Sequence, residues 1–272
     1  MKIAIFIRYL QEALREELQQ LTQVLHDNNI ETEEVVDTLS DTSYDFLFSI
    51  GGDGTLLSAV HLIGNRDIPV LGINFGHLGF LTTAGRNDIH TLVADLLAGR
   101  YTVEPRTLLH VVAGQGHDSL TTFALNEVSL HRLDDGTLLR TDLFANGDFV
   151  STYAGDGLIV ATPTGSTAYS LSCGGPILTP DCGCLVITPI GAHNLTLRPI
   201  IVPDSAHLRL VTYPQQQSFN LGMDSRRQHL PCGTEVHLSR ESFSIKLVRL
   251  HNQNFFTAIH QKLSWGEGEY HS

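Results

Sequence analysis

Phe46-Leu47-Phe48-Ser49-Ile50-Gly51-Gly52-Asp53-Gly54-Thr55-Leu56-Leu57 reads as a buried strand, a glycine turn and the first turn of a helix. Apolar periodicity continues through Ser58-Ala59-Val60-His61-Leu62-Ile63. Glycines let the backbone take positive φ and let a ligand come close to the amides. A turn that opens a helix also presents unpaired N–H groups and the positive end of the dipole, which suit a phosphate. Gly51, Gly52, Gly54 and Thr55 are therefore candidate phosphate-binding positions. Asp53 is the one acid among them. It fits a cap for the following helix, a proton acceptor beside a phosphate, or a metal ligand.

Outward from this turn the pattern is α/β. Residues 2–8 read as a strand, and Leu10, Leu14, Leu18, Leu21 and Leu25 recur at helical spacing to about residue 28. A strand follows near 31–36, another at 69–73, and a helix through Ile89, Leu92, Val93, Leu96 and Leu97 that stops at Gly99. Strands alternating with helices imply a parallel sheet, whose ligands bind outside the strand C-termini. After about residue 100 helical periodicity nearly vanishes. Short runs separated by Gly, Asp and Pro, with Leu208 and Leu210 alternating with His207 and Arg209, imply a β-sandwich. Gly165–Leu171 fits a short helix, and Phe255, Phe256, Ile259 and Leu263 mark a last helix at 255–263.

One strand changes phase. Phe123 and Leu125 are apolar at odd positions, Val128 and Leu130 at even ones, with Asn126-Glu127 between. A one-residue slip exchanges the faces of a strand, so the polar pair belongs at a bulge or a strand end, where side chains are re-aimed.

The composition bounds the function. With 272 residues, 42% hydrophobic and 17% charged, the chain can bury a core. The net charge of −12 excludes general nucleic-acid binding, which needs a basic footprint. No apolar run reaches the roughly 18 residues of a membrane span, and Met1–Arg8 reads as a strand and not as a leader. A cytoplasmic protein without a membrane partner is expected. Cys182-Gly183-Cys184 is too tight for a zinc pair, so Cys173, Cys182, Cys184 and Cys232 are expected as free thiols.

GxxxxGK[ST], GxGxxG and the protein-kinase motifs are absent. Gly51–Thr55 instead resembles the superfamily of phosphofructokinases, diacylglycerol and sphingosine kinases, and NAD kinases. Residues 155–172, Gly-Asp-Gly-Leu-Ile-Val-Ala-Thr-Pro-Thr-Gly-Ser-Thr-Ala-Tyr-Ser-Leu-Ser, resemble the NAD kinase signature. Gly72–Leu81, Asn126-Glu127, Gly174–Leu178 and Arg198-Pro199 are similar to further blocks of that family, in the same order, over residues 2–265.

The resemblance implies transfer of the γ-phosphoryl group of ATP to the 2′-hydroxyl of the adenosine ribose of NAD, giving NADP and ADP. It implies an α/β domain of residues 1–103 with 254–272, a β-sandwich domain of 104–253, and a C-terminal segment that packs back on the first domain. Asp53 is the implied catalytic base or a ligand to Mg²⁺ or another divalent cation. The implied NAD-binding residues are Asn126 at the adenine, Glu127 at the ribose hydroxyls and Asp156 toward the nicotinamide. Thr167, Ala168, Tyr169 and Ser172 line the pockets, Phe80 forms an aromatic wall, and Asp224 stands close by. A homodimer or homotetramer is implied. Where many relatives carry an Arg two residues before Asp156, this chain has Ala154; Arg226 or Arg227 are candidates to compensate. A dinucleotide sensor, or a lipid or sugar kinase of the superfamily, is the alternative.

Overall fold

The computed structural model describes residues 1–8, 14–40, 43–76, 79–84, 89–114, 119–133, 137–213, 218–251 and 254–264. In chain order the elements begin with β1 (Lys2–Phe6), α1 (Arg15–Asp27), β2 (Glu31–Val35), β3 (Phe46–Ile50), α2 (Asp53–Ile63), β4 (Val70–Ile73), β5 (Thr82–Ala84) and α3 (Ile89–Leu97). Then come β6 (Tyr101–Ala113), β7 (Leu120–Ala124), β8 (Glu127–Arg132), β9 (Leu139–Ala145), β10 (Asp148–Gly155) and β11 (Gly157–Ala161). A 3₁₀ turn (Thr164–Thr167) leads into α4 (Tyr169–Ser172). The chain ends with β12 (Cys184–Ile190), β13 (Ile200–Pro203), β14 (Leu208–Thr212), β15 (Ser218–Met223), β16 (Arg226–Pro231), β17 (Glu235–Leu250) and α5 (Phe255–Leu263). Part of the expected first helix, residues 10–13, lies outside the described residues, as do His77 and Leu78 of the 72–81 block.

The chain forms two compact units, Met1–Pro105 with Ile245–Ser272, and Arg106–Ser244. The return falls at Ile245, inside β17, ahead of residue 254. The polar stretch Ser239–Ser242 reads as a break between two strands, yet β17 runs straight through it. The side chains there have partners: Arg240 pairs with Asp204 at 2.9 Å and Glu241 with His110 at 2.7 Å.

In the first unit the strands are parallel. β1 lies between β2 and β3, β3 pairs with β4, and β4 pairs with β5 and with the end of β17 at Leu247. Alternation decides the faces. Phe46, Phe48 and Ile50 pack with Leu18, Leu21 and Leu25 of α1 and Leu92, Val93 and Leu96 of α3. From β1 the chain moves to β2 on one side, then to β3 on the other. That reversal is the topological switch point of an open parallel sheet, where ligand crevices form, and the glycine turn follows β3 directly. The C-terminal helix α5 belongs to this unit.

The second unit is a β-sandwich. One sheet runs β13-β12-β11-β8-β15-β16 and is antiparallel throughout. Facing it are β9, β10, β14, the start of β17, and β6 with β7. Leu143, Leu208, Leu210, Val236 and Leu238 from one sheet share a core with Leu130, Leu158, Val160, Phe219 and Leu221 from the other. The phase change at Asn126-Glu127 is a strand end: β7 closes at Ala124 in one sheet and β8 opens at Glu127 in the other. β11 is buried on both faces. Leu158 and Val160 enter the sandwich core; Ile159 and Ala161 enter a second cluster with Leu178 and Val186. The residues after β11 thus form an outer layer over the sheet.

All four cysteines are free. No described helix is long and apolar enough to cross a membrane. Phe219 is fully buried in the sandwich core. Phe219→Ala is expected to lower the unfolding free energy by about 3–5 kcal/mol, measured by urea denaturation.

Candidate active site

In the first unit the candidate residues cluster at the glycine turn. Gly51 has φ +143°, a conformation that favours glycine, and its amide donates to Ile73 O at 2.8 Å. A Cβ there would stand 2.5 Å from Thr55 Oγ1. Gly52 caps α2 without a side-chain bond, so Asp53 is the first residue of the helix and not its cap. Its carboxylate reaches across to the next loop. Oδ2 accepts from Phe80 N at 2.8 Å and Oδ1 from Leu81 N at 3.1 Å. Gly79 lets this happen, since a Cβ at that position would stand 1.8 Å from Asp53 Oδ1. Gly79 N donates to Thr82 Oγ1 at 2.7 Å, which fixes the same loop. Phe80 is half-buried, with its backbone at Asp53. An open cleft of about 380 Å³ lies at the same sheet edge, lined by Phe6, Arg8, Asp37, Ser58, His61 and Leu62. Arg8 Nη1 donates to Ser58 Oγ at 2.9 Å, one helical turn along from Gly54.

In the second unit the candidate residues cluster around Asn126-Glu127. The pair sits at the passage between sheets, so its backbone lacks a continuous ladder and is held by side chains. Asp224 supplies most of that hold. Its carboxylate accepts from Leu125 N at 2.8 Å, Asn126 N at 2.7 Å and Glu127 N at 3.2 Å. On the other side Thr162 N donates to Asn126 O at 2.9 Å, and Thr162 Oγ1 donates to Leu125 O at 2.6 Å. Gly165 closes the clamp: a Cβ there would lie 2.0 Å from Asn126 O. The Thr-Pro-Thr-Gly stretch is therefore more than a turn into a helix, and neither Thr164 nor Ser166 caps one. Ser166 Oγ donates to Pro163 O at 2.7 Å and accepts from Leu178 N at 2.9 Å, tying the 174–178 segment to the turn.

So braced, the side chains of Asn126 and Glu127 each carry a buried oxygen without a hydrogen-bond partner, Oδ1 and Oε2. Buried polar atoms are normally satisfied, and two adjacent exceptions mark a place where donors belong. Burial pushes the Glu127 carboxyl up to about 8; the Asp224 charge adds to this, and a hydrogen bond from the Tyr169 backbone opposes it.

The remaining residues surround this pair. Tyr169 is exposed, stacks on His131 with ring centroids 5.6 Å apart, and its hydroxyl lies in the field of both Asp156 and Glu127. Burial and the neighbouring Cys173 raise its pKa first. Asp156 Oδ1 pairs with Arg132 Nε at 2.8 Å, and Gly191 (φ +52°) makes room for its other oxygen. Thr167 and Ala168 are half-buried beside the 3₁₀ turn, and Ser172 is exposed at the end of α4. Among the expected residues, Asn126, Glu127, Asp156, Tyr169 and Asp224 come together; Asp224 does so through the backbone of the pair. Arg226 donates to Thr122 Oγ1 at 2.8 Å and to Phe123 O, and so is committed to β7. Arg227 contributes positive charge near His131, whose pKa burial lowers most. Sequence reasoning missed Arg132 and Thr162 as a clamp. Only Thr162 carried a signal, its place inside the 155–172 run.

Metal binding by the protein alone does not fit: no group of three His, Cys, Asp or Glu among the described residues can hold an ion. Both Asp53 oxygens already accept an amide. Each keeps a lone pair, so Asp53 suits a divalent ion whose other ligands come from phosphates.

An acid set in a glycine turn, at the switch point of a parallel sheet, suits a phosphotransferase. The models described as ATP-NAD kinase N-terminal domain and ATP-NAD kinase C-terminal domain match residues 5–101 and 125–250. The chain is 36% identical to a Flavobacterium psychrophilum protein named NAD kinase, over 98% of this chain and 99% of that one. It is 41% identical to an NAD kinase of Porphyromonas gingivalis, over 85% and 80%. The yeast NADH kinase complexed with NADH superposes with a TM-score of 0.90 at 25% identity, covering 100% of this chain and 89% of that one. An NAD kinase from Archaeoglobus fulgidus in complex with ATP shares the fold, with a TM-score of 0.80 at 23% identity, covering 97% and 99%. The chain belongs to the NAD kinase family.

The Glu127 shift has a testable sign. Its carboxyl value lies above the ordinary 4.5, so the native state holds that proton where the unfolded chain has released it. Stability relative to Glu127→Gln is expected to fall as pH rises from about 4.5 to about 8 and to level off above. Urea denaturation of both proteins across pH 5–9 measures it; a flat difference over that range rules the shift out.

Proposed function

We propose that the protein is an ATP-dependent NAD kinase in which Asp53 accepts the proton of the ribose 2′-hydroxyl. The observation that carries the reading is the buried, unpartnered pair of oxygens on Asn126 and Glu127, in a chain of this family. An amide carbonyl suits the adenine 6-amino group, and a carboxylate suits the two hydroxyl donors of a ribose. Asp156 recognises the nicotinamide amide. Tyr169 offers a ring face to a base, with Thr167, Ala168 and Ser172 lining the pocket and the Phe80 ring forming a wall. Asp224 acts by holding the pair in place.

The chemistry is an in-line displacement. The 2′-oxygen attacks the γ-phosphorus and a new O–P bond forms. The bond from that phosphorus to the β–γ bridging oxygen breaks, ADP leaves, and the hydroxyl proton passes to Asp53. The amides of the glycine turn and the dipole of α2 meet the donor phosphates. The cleft with Arg8 is large enough for part of a nucleotide and supplies a positive charge at that edge. Were a divalent cation such as Mg²⁺ to join the donor phosphates, Asp53 would be the side chain to hold it in place of acting as base, and the ion would supply charge neutralisation. Association of copies belongs to the same reading; its support is Phe149, 59% exposed on the edge strand β10.

Incubation with ATP, Mg²⁺ and NAD is expected to yield NADP. Asp53→Asn is expected to lower kcat by roughly 10²-fold or more and leave NAD affinity within about twofold. NAD binding by wild type but no NADP from it leaves a sensor instead of an enzyme. Near wild-type turnover by Asp53→Asn removes the base. NAD affinity is also expected to tighten as pH rises toward 8, because binding to the Glu127 carboxylate releases its proton, and Glu127→Gln is expected to lose that dependence.

A further inference from the structure

We propose that Arg249 is a positioning residue for the Asp53 carboxylate, acting through the single peptide group between Phe80 and Leu81. Arg249 lies near the end of β17 and its side chain is buried, 7% exposed. Its Nη2 donates to Phe80 O at 2.7 Å. That carbonyl and the Leu81 N–H belong to the same peptide unit, and Leu81 N donates to Asp53 Oδ1 at 3.1 Å. The guanidinium therefore holds one end of a peptide whose other end holds the carboxylate. The preceding amide, Phe80 N, holds the second oxygen at 2.8 Å.

Rotation of the Phe80–Leu81 peptide would turn its N–H away from Asp53 and leave a carbonyl facing a carboxylate. A buried cation on the carbonyl opposes that rotation. It also polarises the peptide, which strengthens the bond that its N–H makes. Glu104 Oε2 stands 3.4 Å from Arg249 Nε as a counter-charge. Burial works against the charged guanidinium, while Glu104 and Asp53 favour it. A purely packing role would be met by an apolar side chain, without the desolvation of a charge. The geometry is also specific to arginine, since a planar fork addresses Glu104 from one nitrogen and the carbonyl from another.

The proposal rests on the role assigned to Asp53, and the experiment separates the two. Arg249→Met, Arg249→Lys, Asp53→Asn and the Asp53→Asn/Arg249→Met double variant are compared for kcat, the KM of NAD and thermal unfolding. Arg249→Met is expected to lose about 10–100-fold in kcat with the KM within about twofold. Arg249→Lys is expected to recover part of the loss, since an ammonium can still reach the carbonyl. In the Asp53→Asn background the same change is expected to lose less than about threefold, because the two act as a unit. Unchanged kcat in Arg249→Met, a loss confined to KM, or an undiminished loss in the double variant overturns the proposal. Near wild-type turnover by Asp53→Asn alone marks instead the failure of the Asp53 assignment. If Arg249→Met does not fold, Arg249→Lys decides alone: wild-type kcat overturns the proposal, and a lowered kcat with unchanged KM and thermal midpoint supports it.

Discussion

Three consecutive backbone amides, those of Leu125, Asn126 and Glu127, converge on the carboxylate of Asp224. The chain there is leaving one sheet of the sandwich for the other, so the regular ladder cannot satisfy those donors. Buried amides without partners are destabilising. A carboxylate from the β15–β16 turn, nearly a hundred residues away in sequence, meets the need. Asp224 itself sits at φ +52°, in the left-handed region, at the tip of that turn. The proposed ligand contacts of the second unit depend on this brace, because it fixes the backbone from which Asn126 and Glu127 project.

The first unit uses the same device with a different acid. Asp53 collects the amides of Phe80 and Leu81, again from a loop that has no ladder at that point. In both places a carboxylate meets the backbone through a gap left by a missing Cβ or clamped by one. Gly79 yields to Asp53, and Gly165 lets the far side of Asn126 be closed by the 162–165 turn. The glycines of these motifs thus serve close approach between parts of the protein as well as approach to a ligand.

Much of this was legible in the sequence, for physical reasons. Phe46–Ile50 and the glycines after it announce strand, turn and helix because apolar burial and positive φ are local properties. The phase change across Asn126-Glu127 was visible because side-chain period is also local; it pointed to a bulge or a strand end, and the pairing makes it a passage between sheets. The partners were not legible. That Asp53 would hold amides 27 and 28 residues on, or that Arg226 would be used on β7 and not near Ala154, depends on tertiary register. Arg249 gave no sign, since one Arg in an apolar strand reads as a solvated edge residue until its burial is known. The single strand β17 was hidden for a related reason: the polar centre that looks like a turn is matched by Asp204 and His110.

The contrast between the two acids beside Asn126 bears on the recognition role proposed for Glu127. Asp224 has every oxygen taken up by amides, so it has little left to offer and its work is internal. Glu127, one residue from those amides, has one oxygen unmatched and a carboxyl pushed up to about 8 by burial and by Asp224. Two carboxylates in one neighbourhood are thereby assigned different tasks by their surroundings alone. The unmatched oxygen of Glu127 persists because the brace fixes the backbone from which it projects. On the proposed reading, a ligand that brings hydroxyl donors would supply the missing partner, whereas one without them would leave Glu127 as it was. The unmatched oxygen would then favour a hydroxyl-bearing ligand over an analogue lacking the hydroxyls, because only the former pairs with it.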